Sequence, residues 1–268
     1  MTIRFSTRFL EPEGVDIFSE GGGGLVQDDP PYSTLTLESF LGRTWLKAHV
    51  VDPTYPSDPS TDCKCRAEVS RSDNYPGSGS FREDDSDLYY GLRTYLPSDF
   101  YTIYGTDCWP QGCCLFQLKE HGTWGVAFYV QYSNQEVRWK YRKYDYSISE
   151  FVTTTYEYYD LIRGRPFTHI YHLNCVEDGQ FELWYDGDKI VDDSGDYRMC
   201  PTDVADGYAN HRFKCGLYTG LNQNAKYVYH TDIVIATTKS DVDDFLGEAQ
   251  ATVGGGSATM GRAITLLL

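Results

Sequence analysis

The chain has 268 residues, 23 of them Tyr, 13 Phe and 5 Trp, and its 39 acidic against 23 basic residues give a formal charge of −16. That field excludes a nucleic acid or an anionic membrane surface as partner unless a large basic patch is present, and no apolar run approaches the ~20 residues that cross a bilayer. A locally basic cleft for an anionic ligand stays open, because at ~0.15 M salt charges more than about 8 Å away are largely screened.

Residues 1–35 contain Gly21-Gly-Gly-Gly24 and Asp28-Asp-Pro-Pro31 and read as an extended arm. Residues 36–239 form the core, expected as one large all-β domain of a monomer, without an internal repeat. Within it Arg66-Ala-Glu68 sets two opposite charges on one strand face, the pattern of a structural ion pair. Leu88-Tyr-Tyr-Gly-Leu-Arg-Thr-Tyr-Leu96 is a strand stopped by Pro97. Cys114–Lys119 and Trp124–Tyr132 are strands flanking a Glu-His-Gly turn, and Val137–Lys143 follows. Phe167–Cys175 and Gln180–Tyr185 are strands punctuated by Asp178-Gly179 and Asp186-Gly187. Phe213–Tyr218 and Tyr227–Ile235 complete the set. Residues 240–268 carry a short capped helix at Ser240–Leu246 and a Gly-rich tail. Many short strands with so little helix predict an all-β, two-sheet antiparallel jelly-roll sandwich of the concanavalin-like kind.

Eight cysteines, Cys63, Cys65, Cys108, Cys113, Cys114, Cys175, Cys200 and Cys215, form an even set with no zinc-ribbon spacing. They favour an oxidising compartment, hence secretion, with a bridge from Cys108 to Cys113 or Cys114 as the most local pairing. The N-terminus lacks the apolar stretch of a secretory signal, so the expectation rests on the cysteines. No metal and no cofactor are expected.

Strand alternation decides which polar groups share a face. Gln117 and Lys119 oppose Phe116 and Leu118, while Arg138, Lys140 and Arg142 fall together. Three cations on one face need an anion opposite them, either a ligand or the carboxylates of a neighbouring strand. Tyr156 and Tyr158 are two phenols at same-face spacing, although most tyrosines of a Tyr-rich chain serve packing. Lys214, Gly216 and Tyr218 share a face, with Phe213, Cys215 and Leu217 on the core side. His121, His169, His172, His211 and His230 remain, and imidazole titrates nearest neutrality. His169 shares a strand face with Tyr171, but its strand ends in core-like Leu173 and leads into the hairpin, so a structural role is expected for it.

Arg66-Ala-Glu68-Val, the Tyr-Gly-Leu-x-x-Tyr-Leu-Pro strand, Gln117-Leu-Lys119, the Asp-Gly-x-Phe-Glu-Leu-Trp hairpin and Phe213-Lys-Cys-Gly-Leu-Tyr218 occur in the order found in jelly-roll polysaccharide lyases, and over residues 60–236 the chain resembles them. It most resembles the family-fourteen alginate and glucuronate lyases, in which a strand lysine and a later Tyr-x-Tyr pair carry the activity. Gln117-Leu-Lys119 departs from the Gln-x-His of the other large alginate-lyase family and suits the lysine variant. The resemblance implies Lys119, Tyr156 and Tyr158 as catalytic groups with an arginine between them, for which Arg142 and Arg138 are both candidates and Arg142 is taken as the catalytic one. Arg138, Lys140, Gln117, Arg66, Glu68, Lys214 and Tyr218 would bind an anionic polysaccharide.

The implied reaction is β-elimination. Arginines would offset the uronate carboxylate as negative charge grows at C5, a base would take the C5 proton, and an acid would protonate the departing O4. Lys119 is base or carboxylate neutraliser, and Tyr156 or Tyr158 is acid or combined acid and base; nearby cations would lower both kinds of pKa toward neutrality. A lectin-like binding sandwich is the chief alternative. A glycoside hydrolase, lacking here the Glu-x-Asp-x-x-Glu of jelly-roll glucanases, and a coat protein stand behind it.

Overall fold

The computed structural model describes residues 3–9, 24–27, 32–51, 64–72, 87–100, 112–120, 123–131, 136–145, 148, 150–174, 176, 178–195, 211–220 and 226–247. In chain order the strands are β1 (Ile3–Thr7), β2 (Gly24–Gln27), β3 (Ser33–Phe40), β4 (Arg43–Val50) and β5 (Lys64–Ser72). They continue as β6 (Asp87–Tyr95), β7 (Gly112–Glu120), β8 (Thr123–Gln131), β9 (Glu136–Asp145) and β10 (Glu150–Asp160). The last are β11 (Pro166–Asn174), β12 (Gly179–Tyr185), β13 (Asp188–Gly195), β14 (His211–Gly220) and β15 (Lys226–Ala236), followed by helix α1 (Lys239–Gly247).

Among the described residues these strands make two antiparallel sheets. One runs β13-β12-β11-β6-β15-β4-β3 with β1 added on β15, and the other β10-β9-β8-β7-β14-β5-β2. The sandwich expected from the strand pattern is present. Within the first 35 residues the chain forms β1 in the first sheet, β2 at the edge of the second and the start of β3.

Alternation sets the core. Leu46, Ala48 and Val50 of β4, Leu88, Tyr90 and Leu92 of β6, and Tyr171 and Leu173 of β11 face Ala67 and Val69, Phe116, Trp139, and Phe213 and Leu217 of the other sheet. Aromatic pairs bridge the layers: Phe116 stacks on Tyr171 at 4.3 Å, and Trp139 meets Tyr185 edge-on at 5.1 Å. Truncating such a ring to alanine typically costs about 3–5 kcal/mol.

The β12–β13 turn has positive φ at both Asp186 (52°) and Gly187 (96°), the requirement of the hairpin turn that Asp-Gly predicts. Leu41 and Gly42 do the same between β3 and β4, with Leu41 63% exposed.

Helix α1 begins one residue before its sequence expectation, and the Thr238 hydroxyl oxygen accepts the Asp241 amide at 3.2 Å. Val242, Phe245 and Leu246 cover Val234 and Ala236 of β15. At its C-terminal end the guanidinium groups of Arg8 and Arg93 donate to the carbonyls of Phe245 and Leu246. Both arginines, with Arg43, also surround the fully buried Asp232 carboxylate. A buried carboxylate of β15 thus ties together β4, β6 and the residue that follows β1, and two of its arginines reach on to α1.

One cysteine expectation changes. Cys114 and Cys215 are buried free thiols, so the short bridge from Cys108 does not close on Cys114; Cys108 lies outside the described residues. The Cys114 thiol instead donates to the Phe116 carbonyl and accepts from the Gln117 amide, each at 3.3 Å.

Candidate active site

The second sheet buries one face against the core, and its outward-face positions hold the polar residues singled out in the sequence except Tyr156. β14 is central, between β5 and β7. One row of register partners runs Ser70–Lys214–Gln117–Ala127–Lys140–Thr155 across six strands. A second runs Arg66–Tyr218–Cys114–Tyr129–Arg138. Lys119, two residues along β7 from Gln117, pairs with Arg212. Residues from five separated segments are thereby gathered on one surface. Side chains of Arg66, Lys119, Arg138, Lys140, Arg142, Tyr156 and Tyr158 lie outside the described residues, and their places are those of the backbone.

The described side chains of this face are recessed. Glu68 is 3% exposed, Gln117 1%, Lys214 4%, Tyr218 5% and Cys114 0%. Polar groups bury only with partners. The Lys214 ammonium lies 3.7 Å from a Glu68 carboxylate oxygen, so Glu68 pairs across β5–β14; the ion pair expected between Glu68 and Arg66 falls on a side chain outside the described residues. Burial, with the Glu68 charge nearby, pushes the Cys114 and Cys215 thiols well above their ordinary pKa. Such thiols stay protonated and serve as floor, not as nucleophiles.

The two tyrosines of β10 occupy different settings. Tyr156 is the register partner of Trp139, whose ring is fully buried in the core. The β9–β10 register then shifts between Tyr156 and Tyr159, so Glu157 and Tyr158 together oppose Arg138. Tyr158 is thus at the outward-face row with Arg138, and Tyr156 at a core-face position. Arg142 pairs with Thr153 farther along the strand. Neighbouring strands are ~4.8 Å apart, so β7 and β10, three strands apart, are separated by roughly 14 Å of backbone.

Two features escaped the sequence reading. Cys114 was taken as a bridge partner and is part of the floor. His230 reaches across the sandwich to β14 with its Nε2 at 3.1 Å from the Gly216 carbonyl; the signal was present, since alternation in Tyr227-Val-Tyr-His230 puts a histidine on the core face beside Val228. Among the described residues no group of three or more His, Cys, Asp or Glu is arranged to hold a metal ion, and no helix is long and apolar enough to cross a membrane.

Among solved structures the chain is similar to the endo-β-1,4-glucuronan lyase of the fungus Trichoderma reesei, at 17% identity and a TM-score of 0.63 over 90% of this chain and 98% of that one. The alginate lyase of Klebsiella pneumoniae gives 11% identity and a TM-score of 0.52 over 79% and 86%. The globular domain of T. cruzi calreticulin gives 12% and 0.54 over 92% and 93%. At such identities the likeness establishes the sandwich, and neighbours so differently named show that the sandwich alone fixes no activity. No curated protein matches the chain. A family model described as polysaccharide lyase matches residues 21–234, a stretch that contains Glu68, Gln117, Lys119, Lys214 and Tyr218. The recessed polar face therefore lies in a domain of known chemistry, and the chain belongs to the polysaccharide lyase family.

Proposed function

We propose that the protein cleaves a uronate-containing polysaccharide, alginate or polyglucuronate, by β-elimination on the outward face of the β14-centred sheet. The observation that carries this is the nearly complete burial of Glu68, Gln117, Lys214 and Tyr218 on the face turned away from the core, in register with the rows that hold Arg66, Arg138 and Lys140. A merely solvated sheet face would leave such residues in water. The glucuronan and alginate lyases among its structural neighbours support a uronate substrate.

In this reading the Gln117 amide and the cations of β7 and β9, Lys119, Arg138, Lys140 and Arg142, offset the substrate carboxylate, as in the resemblance to the family-fourteen lyases. A phenol then takes the C5 proton and returns one to O4 when both lie on the same face of the sugar. Tyr218 is the first choice for that phenol: it is on the strand beside Gln117, and the Gln117 amide is directed to Cys114, the register partner of Tyr218. Tyr158, in the row of Arg138, is the second; Tyr156, opposite Trp139, is the third. The Lys214–Glu68 pair holds the floor between them. Action on an extracellular polymer supports secretion.

The test is incubation with alginate, polyglucuronate and a neutral glucan while following ultraviolet absorbance. Elimination leaves a conjugated C4–C5 double bond, so absorbance rises with a polyuronate and not with the glucan. Binding without any rise returns the lectin-like alternative.

A further inference from the structure

We propose that His230 is a positioning residue of the lyase site, acting from the opposite sheet by holding the Gly216 carbonyl and with it the irregular path of β14 between Lys214 and Tyr218. The inference rests on the reading of this face as the lyase site.

The contacts form a chain with one direction. His230 is fully buried; its Nε2 is 3.1 Å from the Gly216 carbonyl oxygen and its Nδ1 is 3.1 Å from Thr94 Oγ1. The same hydroxyl is 3.2 Å from His169 Nε2. A carbonyl only accepts, so His230 Nε2 carries a proton. Burial lowers the His230 pKa to about 4, so the ring is neutral and its Nδ1 is a lone pair. The Thr94 hydroxyl therefore donates to Nδ1, and its oxygen accepts from His169 Nε2–H. His169 is held neutral by burial as well, with the His230 ring acting in the same sense. Three side chains of one sheet thus end in a single donor aimed at the backbone of the other.

The backbone they reach is an unusual one. Gly216 has φ of +146°, and a Cβ there would lie 2.2 Å from the Ala67 carbonyl oxygen and 2.7 Å from the Glu68 Cα. Glycine is what lets β5 approach β14 at the Glu68 position. At the same place β14 slips against β7: Cys215 pairs with Phe116 and Tyr218 with Cys114, three steps on one strand against two on the other. A regular ladder would turn the carbonyl back into the sheet and shift Tyr218 by one residue against β7, and a one-residue shift changes the face on which a side chain meets its neighbours. The His230 hydrogen bond holds the inward carbonyl, and so keeps Tyr218 in the row of Cys114 and next to Gln117.

The test measures elimination of polyglucuronate or alginate by the full chain carrying His230→Phe, His230→Gln or Thr94→Val, at a temperature where each is folded by near-ultraviolet circular dichroism. A misplacement of about 1 Å at a site is worth roughly a hundredfold in rate. His230→Phe is expected to lower kcat by about that factor while KM changes by less than about twofold. His230→Gln, whose amide can donate to Gly216 and accept from Thr94, restores most of it. Thr94→Val, which keeps the shape and removes the donor that fixes the tautomer, lowers kcat in the same direction, and carries the test if His230→Phe does not fold. Unaltered kcat in His230→Phe and Thr94→Val, or equal losses in His230→Phe and His230→Gln, overturns the proposal. If the unaltered protein forms no unsaturated product from any polyuronate, the lyase reading fails by itself. Hydrogen exchange then decides the positioning: faster exchange of the 214–218 amides in Thr94→Val supports it, and unchanged exchange overturns it.

Discussion

Tyr218 is only 5% exposed on the outward face, a setting in which a phenylalanine would avoid the cost of desolvating a hydroxyl. Tyr218→Phe preserves the ring and removes the proton carrier. The expected outcome is a kcat lower by about 10²–10⁴-fold with little change in KM. Tyr158→Phe is expected to stay within about tenfold of the unaltered enzyme, and steady-state rates on polyglucuronate check both; the reverse order moves the phenol to β10. His230 gives a second prediction at this scale. Its folded pKa is about 4 against 6.5 for the free side chain. Above pH 6.5 both states are neutral and its contribution is constant. Between pH 6.5 and 4 only the unfolded chain takes up the proton, so stability falls by about 1.4 kcal/mol per pH unit, roughly 3 kcal/mol in all, and levels off below pH 4. Urea midpoints at pH 7, 5.5 and 4 measure the decline, and His230→Gln is expected to make it shallower, with the buried His169 contributing the part that remains.

At the scale of elements, α1 lies so close to the first sheet that a Cβ on Gly91 would meet Val242 Cγ1 at 2.4 Å and Val234 Cγ1 at 3.0 Å. Gly91→Ala is therefore expected to cost about 1–3 kcal/mol by overpacking, and Val242→Ala in the same chain to recover part of it; thermal midpoints of the two single variants and the double variant give the coupling. How much of this was legible follows from which forces act locally. Period-2 alternation put Phe213, Cys215 and Leu217 on one face and Lys214 and Tyr218 on the other, because a pleated strand has no other choice. Asp186-Gly187 named its turn for the same local reason, whereas Leu41-Gly42, with a leucine at positive φ, carried no such sign. The irregularities were invisible. The slip after Tyr156 breaks the same-face spacing of Tyr156 and Tyr158, and the slip at Gly216 depends on β7 and on His230, residues distant in sequence. The pairing of Glu68 with Lys214 is likewise a matter of strand order, which alternation does not encode.

At the scale of the whole molecule, a chain of formal charge −16 is assigned a polyanionic substrate, and the two facts are reconciled by distance. The rows on the outward face bring Arg66, Arg138, Lys140, Arg212 and Lys214 from three strands onto one surface, while carboxylates such as Asp186, Asp192 and Asp243 belong to the other sheet and its helix. At ~0.01 M ionic strength the Debye length is about 30 Å, so a polyuronate approaching the groove feels the whole negative molecule. At ~0.1 M it is about 10 Å, which removes the distant repulsion and leaves the cations in contact with the substrate; at ~1 M it is about 3 Å, and those contacts weaken too. The expected salt dependence of KM is therefore a minimum at intermediate ionic strength. A cleft whose attraction came from net positive charge would instead lose affinity steadily as salt rises. Measuring KM for polyglucuronate from 10 mM to 1 M sodium chloride separates the two. A monotonic rise would mean that the cations of β7, β9 and β14 dominate the field even at long range, and a monotonic fall would mean that they do not meet the substrate at all.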